Sequence, residues 1–474
     1  MGLFTSDETI DHPLSEVFSW HERPGALVRL WPPWSGRVVS EPSNGLQPGS
    51  RAVLRLFVPG TLGLVGVEWV AEHVDLEAPN YFSDVMVKGP MRSWLHQHRF
   101  SEVAPTSAAA GASSGATRIL DEVNYELPIP GSIPGLSVVE RRAVNQILGR
   151  TFEHRNRQLR DDLNFHAAHP GPRLTIAVSG ASGTIGTQLC ALLSTGGHRV
   201  RRLVRRPAMS RDEITWDPDS GTIDRDALVD VDVVIHLAGR TIGGRFNAKN
   251  KRAIYDSRVN STVLLADAIA DLVRSGHQMS FISGSAIGFY GADRGSELLD
   301  EDSGRGDGFL AELCRDWEEA TGAAAEAGAR VVNVRTGIVQ TPRAGALAKQ
   351  LPLFRMGVGG PLGSGSQWLS WISIDDIASV FAHAALTPSI SGPLNAAAPD
   401  PVTASGYAQI LARVLHRPAL VPVPGFGPEL LLGREGAHEV ASASQRVDAS
   451  LLTESGYKFR QPTLEGALEH VLGR

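Results

Sequence analysis

The sequence predicts an α/β protein in two parts, a doubly wound parallel sheet preceded by a smaller α+β domain. Three observations predict it. At 474 residues the chain exceeds what one hydrophobic core usually organises. Its first third returns repeatedly to short strand-like runs, as an antiparallel sheet does, whereas its remainder alternates apolar strands with helical segments. Between the two lies His169-Pro170-Gly171-Pro172, which stops any helix running into it. The expected partition is a first domain at 1–167, a linker at 168–172 and a second domain at 173–474.

Composition narrows the function classes. A hydrophobic fraction of 42% and a charged fraction of 20% are ordinary for a folded globular chain and exclude disorder and fibrous repeats. The formal net charge is −6 and no segment is a basic block, so nucleic acid is not an expected partner. Two cysteines, Cys190 and Cys314, each fall in a helical pattern, which argues for a reducing compartment rather than a disulfide framework. Met1 to Trp20 carries Asp7, Glu8, Asp11 and Glu16 and lacks the apolar centre of a signal peptide. No run reaches the roughly 18 apolar residues of a membrane span. A cytoplasmic protein is expected.

In the first domain the elements follow in order: a short N-terminal strand, a helix over Pro13–Trp20, then strands at Ala52–Val58, Glu68–Val74, Phe82–Val87, Trp94–Phe100 and Arg118–Leu127. Val103–Thr117 is rich in Ala, Ser and Gly and reads as a flexible loop. Leu136 to about Phe165 is long, amphipathic and free of proline, hence a helix. His96 and His98 share one face of a strand. A metal would need a third ligand that the sequence does not point to, so no metal is expected. This element order resembles the helix-grip fold of the START-like, polyketide-cyclase-like ligand-binding superfamily. The resemblance implies a mainly apolar cavity between sheet and long helix, and a hydrophobic ligand for it.

In the second domain, strands at Leu174–Ser179, Arg199–Val204, Val233–Leu237 and Met279–Ser283 alternate with helices from Thr184 and around Arg252–Arg274. That alternation is the pattern of a Rossmann-type sheet, with its nucleotide site at the carboxyl ends of the strands. Directly behind the first strand comes Gly180-Ala181-Ser182-Gly183-Thr184-Ile185-Gly186. The first glycine permits a tight turn, the second lets backbone approach a pyrophosphate, and the third lets helix and strand pack closely. The helix that follows presents unpaired N–H groups to the phosphates. An NAD site usually places a carboxylate at the end of the second strand. Here that strand runs Arg201-Arg202-Leu203-Val204-Arg205-Arg206, and Arg205 and Arg206 suit a 2′-phosphate, so NADP(H) is the expected cofactor. A solvated basic edge is the other reading of those arginines.

Further motifs follow in sequence. His236-Leu237-Ala238-Gly239 ends an apolar strand with small residues that let backbone lie beside a cofactor, His236 itself being expected to pack or hydrogen-bond. Val259-Asn260-Ser261-Thr262 lies in the next helix, and Ser283-Gly284-Ser285-Ala286-Ile287-Gly288-Phe289-Tyr290-Gly291 follows the next strand. Together with the glycine turn these resemble the extended short-chain dehydrogenases. The resemblance makes Ser285 the counterpart of their catalytic serine or threonine, and places Ser283, Leu237, Ala238 and Gly239 beside the cofactor. Those relatives then carry Tyr-x-x-x-Lys; Gly308 to Glu318 holds neither residue. That departure, with Arg335-Thr336-Gly337-Ile338-Val339, Gly359 to Trp368 and Trp371 to Asp376, resembles the SulA-type "epimerase family protein" group. Ser444 to Leu464 resembles that group's terminal domain, so a substrate subdomain is expected over about 340–474. Gly359 to Trp371 is expected as a lid, with Trp368 and Trp371 as flat substrate walls. Asp375 and Asp376 are expected to cap a helix.

Three functions remain open at this level: an NADP(H)-dependent oxidoreductase or epimerase acting on a small organic substrate such as a nucleotide sugar, a non-catalytic NADP(H) sensor, and a carrier of a hydrophobic metabolite.

Overall fold

Every second side chain of Ala116–Glu126 is buried, the two-residue period of a strand with one face on a core. A computed structural model describes residues 1–58, 61, 65–105, 115–127, 136–419 and 426–474. It divides into two compact units, the first running from Met1 to Pro170 and the second taking most of the chain from Gly171. In the first, β1 (Gly2–Ile10) leads into α1 (Leu14–Glu22) and α2 (Ala26–Leu30). Then come β2 (Gly36–Ser40), β3 (Arg51–Phe57), β4 (Gly66–Glu77), β5 (Tyr81–Lys88), β6 (Ser93–Val103), β7 (Ala116–Glu126) and the 32-residue α3 (Leu136–Ala167). The strands form one antiparallel sheet in the order β1-β7-β6-β5-β4-β3-β2.

Phe82, Phe100 and Ile119 from that sheet pack with Phe18 and Trp20 of α1 and Leu159 and Leu163 of α3. Val123 and Tyr125 pack with Leu148 and Phe152, nearer the start of α3. The long helix is also tied to α2 by a fully buried pair, Arg29 Nε and Nη2 donating to Asp162 Oδ2 and Oδ1 at 2.9 and 2.8 Å. Strands β6 and β7 pair as far as Val103 and Ala116, which shortens the loop expected at Val103–Thr117. Its centre, 106–114, lies outside the described residues.

In the second unit the chain alternates as expected. Its elements are β8 (Thr175–Ser179), α4 (Thr184–Thr195), β9 (Arg199–Val204), β10 (Glu213–Asp217), β11 (Thr222–Ile223), β12 (Val233–His236), α5 (Ala248–Arg274) and β13 (Ser280–Ala286). They continue with β14 (Asp293–Leu299), α6 (Phe309–Glu319), α7 (Gly322–Glu326), β15 (Arg330–Thr336), β16 (Ile338–Gln340), α8 (Gly345–Arg355), β17 (Trp368–Leu369), β18 (Trp371–Ser373), α9 (Ile374–Leu386) and β19 (Gly392–Ala396). The main sheet has the order β11-β10-β9-β8-β12-β13-β15-β19, parallel except for the edge strand β11. All four residues of β12 are buried, since helices cover both faces of a parallel sheet. Strand order reverses between β8 and β12, and at such a switch point the loops part to leave a crevice at the carboxyl ends.

Candidate active site

The glycine turn stands at that switch point. Gly180 has φ +67°, and a Cβ there would lie 2.7 Å from the Leu237 carbonyl carbon and 2.9 Å from the Ala238 nitrogen, so only glycine allows the two loops to touch. A Cβ on Gly186 would lie 2.2 Å from the Gly180 carbonyl oxygen, so the third glycine lets α4 close down on the turn. Ser182, Gly183 and Thr184 are exposed at the start of α4, whose first turn carries no acidic residue. An exposed helix N-terminus without a carboxylate fits a pyrophosphate.

Ser179 and His236 hold the neighbouring turn. The Ser179 hydroxyl and His236 Nδ1 lie 2.6 Å apart, and Leu237 N–H donates to Ser179 Oγ at 3.1 Å. Across its ring, His236 Nε2 lies 3.0 Å from Ser261 Oγ. Burial, with a smaller contribution from the charge of Arg258, lowers His236 to about 3, so the ring is neutral and serves as a strut, as expected. Ser261, from the Val-Asn-Ser-Thr segment, is its second support. Ser283 lies beside His236 in the sheet register and is fully buried, and its hydroxyl contacts the Gly284 carbonyl at 3.2 Å.

The arginine run is less free than its charges suggest. Arg206 is gripped by Glu213 through two bonds of 2.8 and 2.6 Å, an arrangement that pulls the Glu213 carboxyl down to about 2. A carboxylate therefore does compete for Arg206: Glu213 opens β10, opposite Arg202 in the parallel register, and its side chain reaches the arginine just past the end of β9. Arg201 turns inward and bonds Asp230 at 2.5 Å. Arg205 stands exposed at the strand end.

Ser285 occupies the carboxyl end of β13 and is 3% exposed. Its hydroxyl donates to Glu318 Oε1 at 2.6 Å. Glu318, on α6, also accepts from Arg335 Nε and Nη2, each at 2.9 Å. The register of β13 with β15 places Ser285 directly opposite Arg335. Arg335 lies 3.7 Å from the Phe289 ring centroid, and its Nη1 is 3.1 Å from the Tyr290 hydroxyl. Tyr290 in turn lies 2.7 Å from Asn395 Oδ1 and 2.8 Å from the Asp300 carbonyl oxygen, and burial pushes it up to about 12. Tyr290 thus belongs to the support of Arg335, with its hydroxyl occupied by acceptors. Beside it opens a cleft of about 590 Å³, whose lining includes Tyr290, Arg294, Arg305, His438 and Glu439. The sequence alone assigns Ser285 no carboxylate partner, because the 33-residue separation of Ser285 and Glu318 carries no periodic signal.

Two expected substrate walls separate. Trp371 is fully buried and its Nε1 donates to the Asp400 carbonyl at 2.8 Å, so it is a core residue and not a pocket wall. Trp368 is half-buried, with the Arg446 guanidinium 4.7 Å above its ring. In the expected lid, Gly359 packs on the Phe354 ring and Gly365 on Ser405, which accounts for both glycines without a cofactor. Asp376 accepts from the Ser373 hydroxyl, the Tyr457 hydroxyl and the backbone of Arg460 and Gln461, and Asp375 meets His470 at 3.1 Å; both are structural. Cys190 and Cys314 are buried thiols pushed up to about 12 by that burial. Among the described residues no helix is long and apolar enough to cross a membrane.

In the first unit, His96 and His98 are joined by two carboxylates, Asp84 and Asp121, that the sequence does not connect with them.

A doubly wound sheet, a glycine turn at its switch point and a hydroxyl at the end of the next strand but one define a dinucleotide-binding protein of Rossmann type. The NAD dependent epimerase/dehydratase family model matches residues 176–395, and a domain of unknown function, DUF1731, matches 423–471. An epimerase family protein of Mycobacterium bovis is 39% identical over 300 residues, covering 63% of this chain and 98% of that protein. The chain belongs to this epimerase family. The crystal structure described as a nucleoside-diphosphate sugar epimerase from Corynebacterium glutamicum aligns over 99% of this chain and 90% of its own, at 34% identity and a TM-score of 0.76. Human epimerase family protein SDR39U1, crystallised with NADPH, aligns over 63% of this chain and 99% of its own, at 31% identity and a TM-score of 0.56.

Proposed function

We propose that residues 173–474 bind NADP(H) and catalyse oxidoreduction or epimerisation at an alcohol or carbonyl carbon of a small organic substrate, a nucleotide sugar being the class that relatives' names suggest. The Ser285–Glu318 hydrogen bond carries this reading. Gly180, Ser182, Gly183, Thr184, Ile185 and Gly186 hold the pyrophosphate, Arg205 meets the 2′-phosphate, Leu237, Ala238 and Gly239 line the dinucleotide, and 340–474 supplies the substrate side, Trp368 included. A bound nicotinamide supplies hydride acceptance and donation. With its proton donated to Glu318, the Ser285 oxygen keeps lone pairs that can accept the hydrogen of a substrate hydroxyl. Proton movement then runs from substrate oxygen to Ser285 Oγ and from Ser285 to Glu318, while Arg335 fixes the carboxylate.

Residues 1–167 are proposed to be a helix-grip domain for a hydrophobic ligand, the layering of one antiparallel sheet with the long α3 supporting that reading. The second reading of 173–474 is a sensor, favoured by one observation: Arg335 already satisfies both oxygens of Glu318 without substrate. Oxidation of NADPH across carbonyl compounds, quinones and nucleotide sugars separates the two. Turnover that falls in Ser285→Ala supports catalysis; tight NADP(H) binding with no turnover on any member of the panel assigns the sensor.

A further inference from the structure

Four side chains meet on one face of the first unit's sheet. Asp84 and His96 are direct partners across β5 and β6, and His98 and Asp121 are direct partners across β6 and β7. The two-residue period puts His96 and His98 on the same face, their ring centroids 3.8 Å apart. His96, His98 and Asp121 are each no more than 5% exposed, and Phe82 stacks on His98 at 4.0 Å.

The two carboxylates approach opposite edges of the imidazoles. Asp121 Oδ1 takes one nitrogen of each ring, His96 Nε2 at 3.2 Å and His98 Nδ1 at 2.5 Å. The remaining nitrogens, His96 Nδ1 and His98 Nε2, both face Asp84 Oδ2, at 3.5 and 3.6 Å. These last two distances are long for hydrogen bonds, yet they match another geometry. Ligands bound to one ion at about 2.0–2.1 Å in tetrahedral array stand about 3.3–3.4 Å apart. One donor atom from each of Asp84, His96 and His98 lies within 4.8 Å of the others. Asp121 meanwhile does what an outer carboxylate does at a histidine metal site: it accepts the N–H of each ring, fixes the tautomer and turns the other nitrogen toward the ion.

We propose that Asp84, His96 and His98 bind one divalent first-row transition cation, such as Zn²⁺, with Asp121 as the outer carboxylate orienting both imidazoles. Two histidines and one carboxylate leave at least one coordination position for water or a ligand oxygen, and the nitrogen and oxygen donor set favours such ions over Ca²⁺ or Mg²⁺. A buried carboxylate, Asp121, and a half-buried one, Asp84, beside two buried imidazoles also call for positive charge, which the cation supplies. The site lies outside the dinucleotide-binding unit, so it does not depend on the function proposed there.

The test uses the full-length protein, stripped with chelator and titrated with Co²⁺, whose visible absorption reports coordination. The expected result is one Co²⁺ per chain with bands of a low-coordinate nitrogen/oxygen site, displaced by one equivalent of Zn²⁺. Asp84→Asn and His96→Gln should each abolish the bands, while Asp121→Asn should retain the stoichiometry and weaken binding about 10–100-fold. Circular dichroism of each variant separates loss of the site from loss of fold, and a rise in the wild-type thermal midpoint with Zn²⁺ is an independent readout. Failure of the folded wild type to take up Co²⁺ or Zn²⁺ overturns the proposal, leaving a self-satisfied ion-pair cluster. So does uptake that survives both Asp84→Asn and His96→Gln.

Discussion

Ser285 donates its hydroxyl proton to Glu318 at 2.6 Å, linking the end of β13 to a carboxylate on α6, 33 residues farther along the chain. The pair gives the serine what it lacks in the primary structure, an acceptor for its proton. Ser285→Ala and Glu318→Gln are therefore expected to lower NADP(H)-linked turnover by roughly 10²–10⁴, the usual contribution of a positioned acid–base group. Cofactor affinity should change little in either variant, because the glycine turn lies in a different loop. Single-turnover kinetics alongside calorimetric binding check both halves; equal turnover in the two variants and the wild type removes the relay.

Cofactor preference should rest unevenly on the two arginines. Arg205→Ala is expected to weaken NADPH relative to NADH by about tenfold to a hundredfold, as loss of a charge-assisted pair of roughly 1.5–3 kcal/mol implies. Arg206→Ala should cost less, since Glu213 already holds that guanidinium. Conversely, Glu213→Gln should strengthen NADPH binding by loosening Arg206. Titration of both cofactors into the three variants decides this, and an unaltered NADPH preference in Arg205→Ala contradicts the assignment.

Stability of the second unit should depend on pH through His236. Its folded value is lowered by burial to about 3 against about 6.5 when unfolded, so between those values the unfolded chain binds more protons than the folded one. The contribution of neutral His236 is complete above about pH 6.5 and declines as pH falls toward 3. Thermal midpoints from pH 7.5 to 4.5 should fall more steeply in the wild type than in His236→Gln. Parallel curves would show that the ring titrates normally.

The α2–α3 connection should be costly to break on one side. Removing one partner of a buried ion pair leaves the other charge unpaired, so Asp162→Ala should destabilise the protein by about 3–5 kcal/mol. Replacing both Arg29 and Asp162 with apolar residues of similar volume should recover much of that loss. Chemical denaturation of the single and double variants is the check.

Much of the second unit was legible in order: β9 falls on the run Arg199–Val204 that alternation marks, and α4 opens at Thr184 behind the glycine turn. Local signals sufficed there because central strands such as β12, buried on both faces, are largely apolar, and a turn against backbone must be glycine. Trp371 shows the opposite case. Its size and its place in a glycine-rich segment read equally as a pocket wall or as core, and only the surrounding packing separates them.

The sequence by itself determined the alternation of elements, the glycine turn with its basic second strand, the position of Ser285 and the absence of the Tyr–Lys pair. All of these are properties of neighbouring residues, set by backbone conformation and side-chain period. Tertiary structure alone decided which charges meet. Glu318 reaches Ser285, Glu213 occupies Arg206, and Asp84 and Asp121 flank His96 and His98 because strand register, turns and helix packing bring together residues that no helical or strand period links. A carboxylate's identity is local, but its partner is chosen by the fold, since burying a charge is tolerated only where an opposite charge or a donor waits for it.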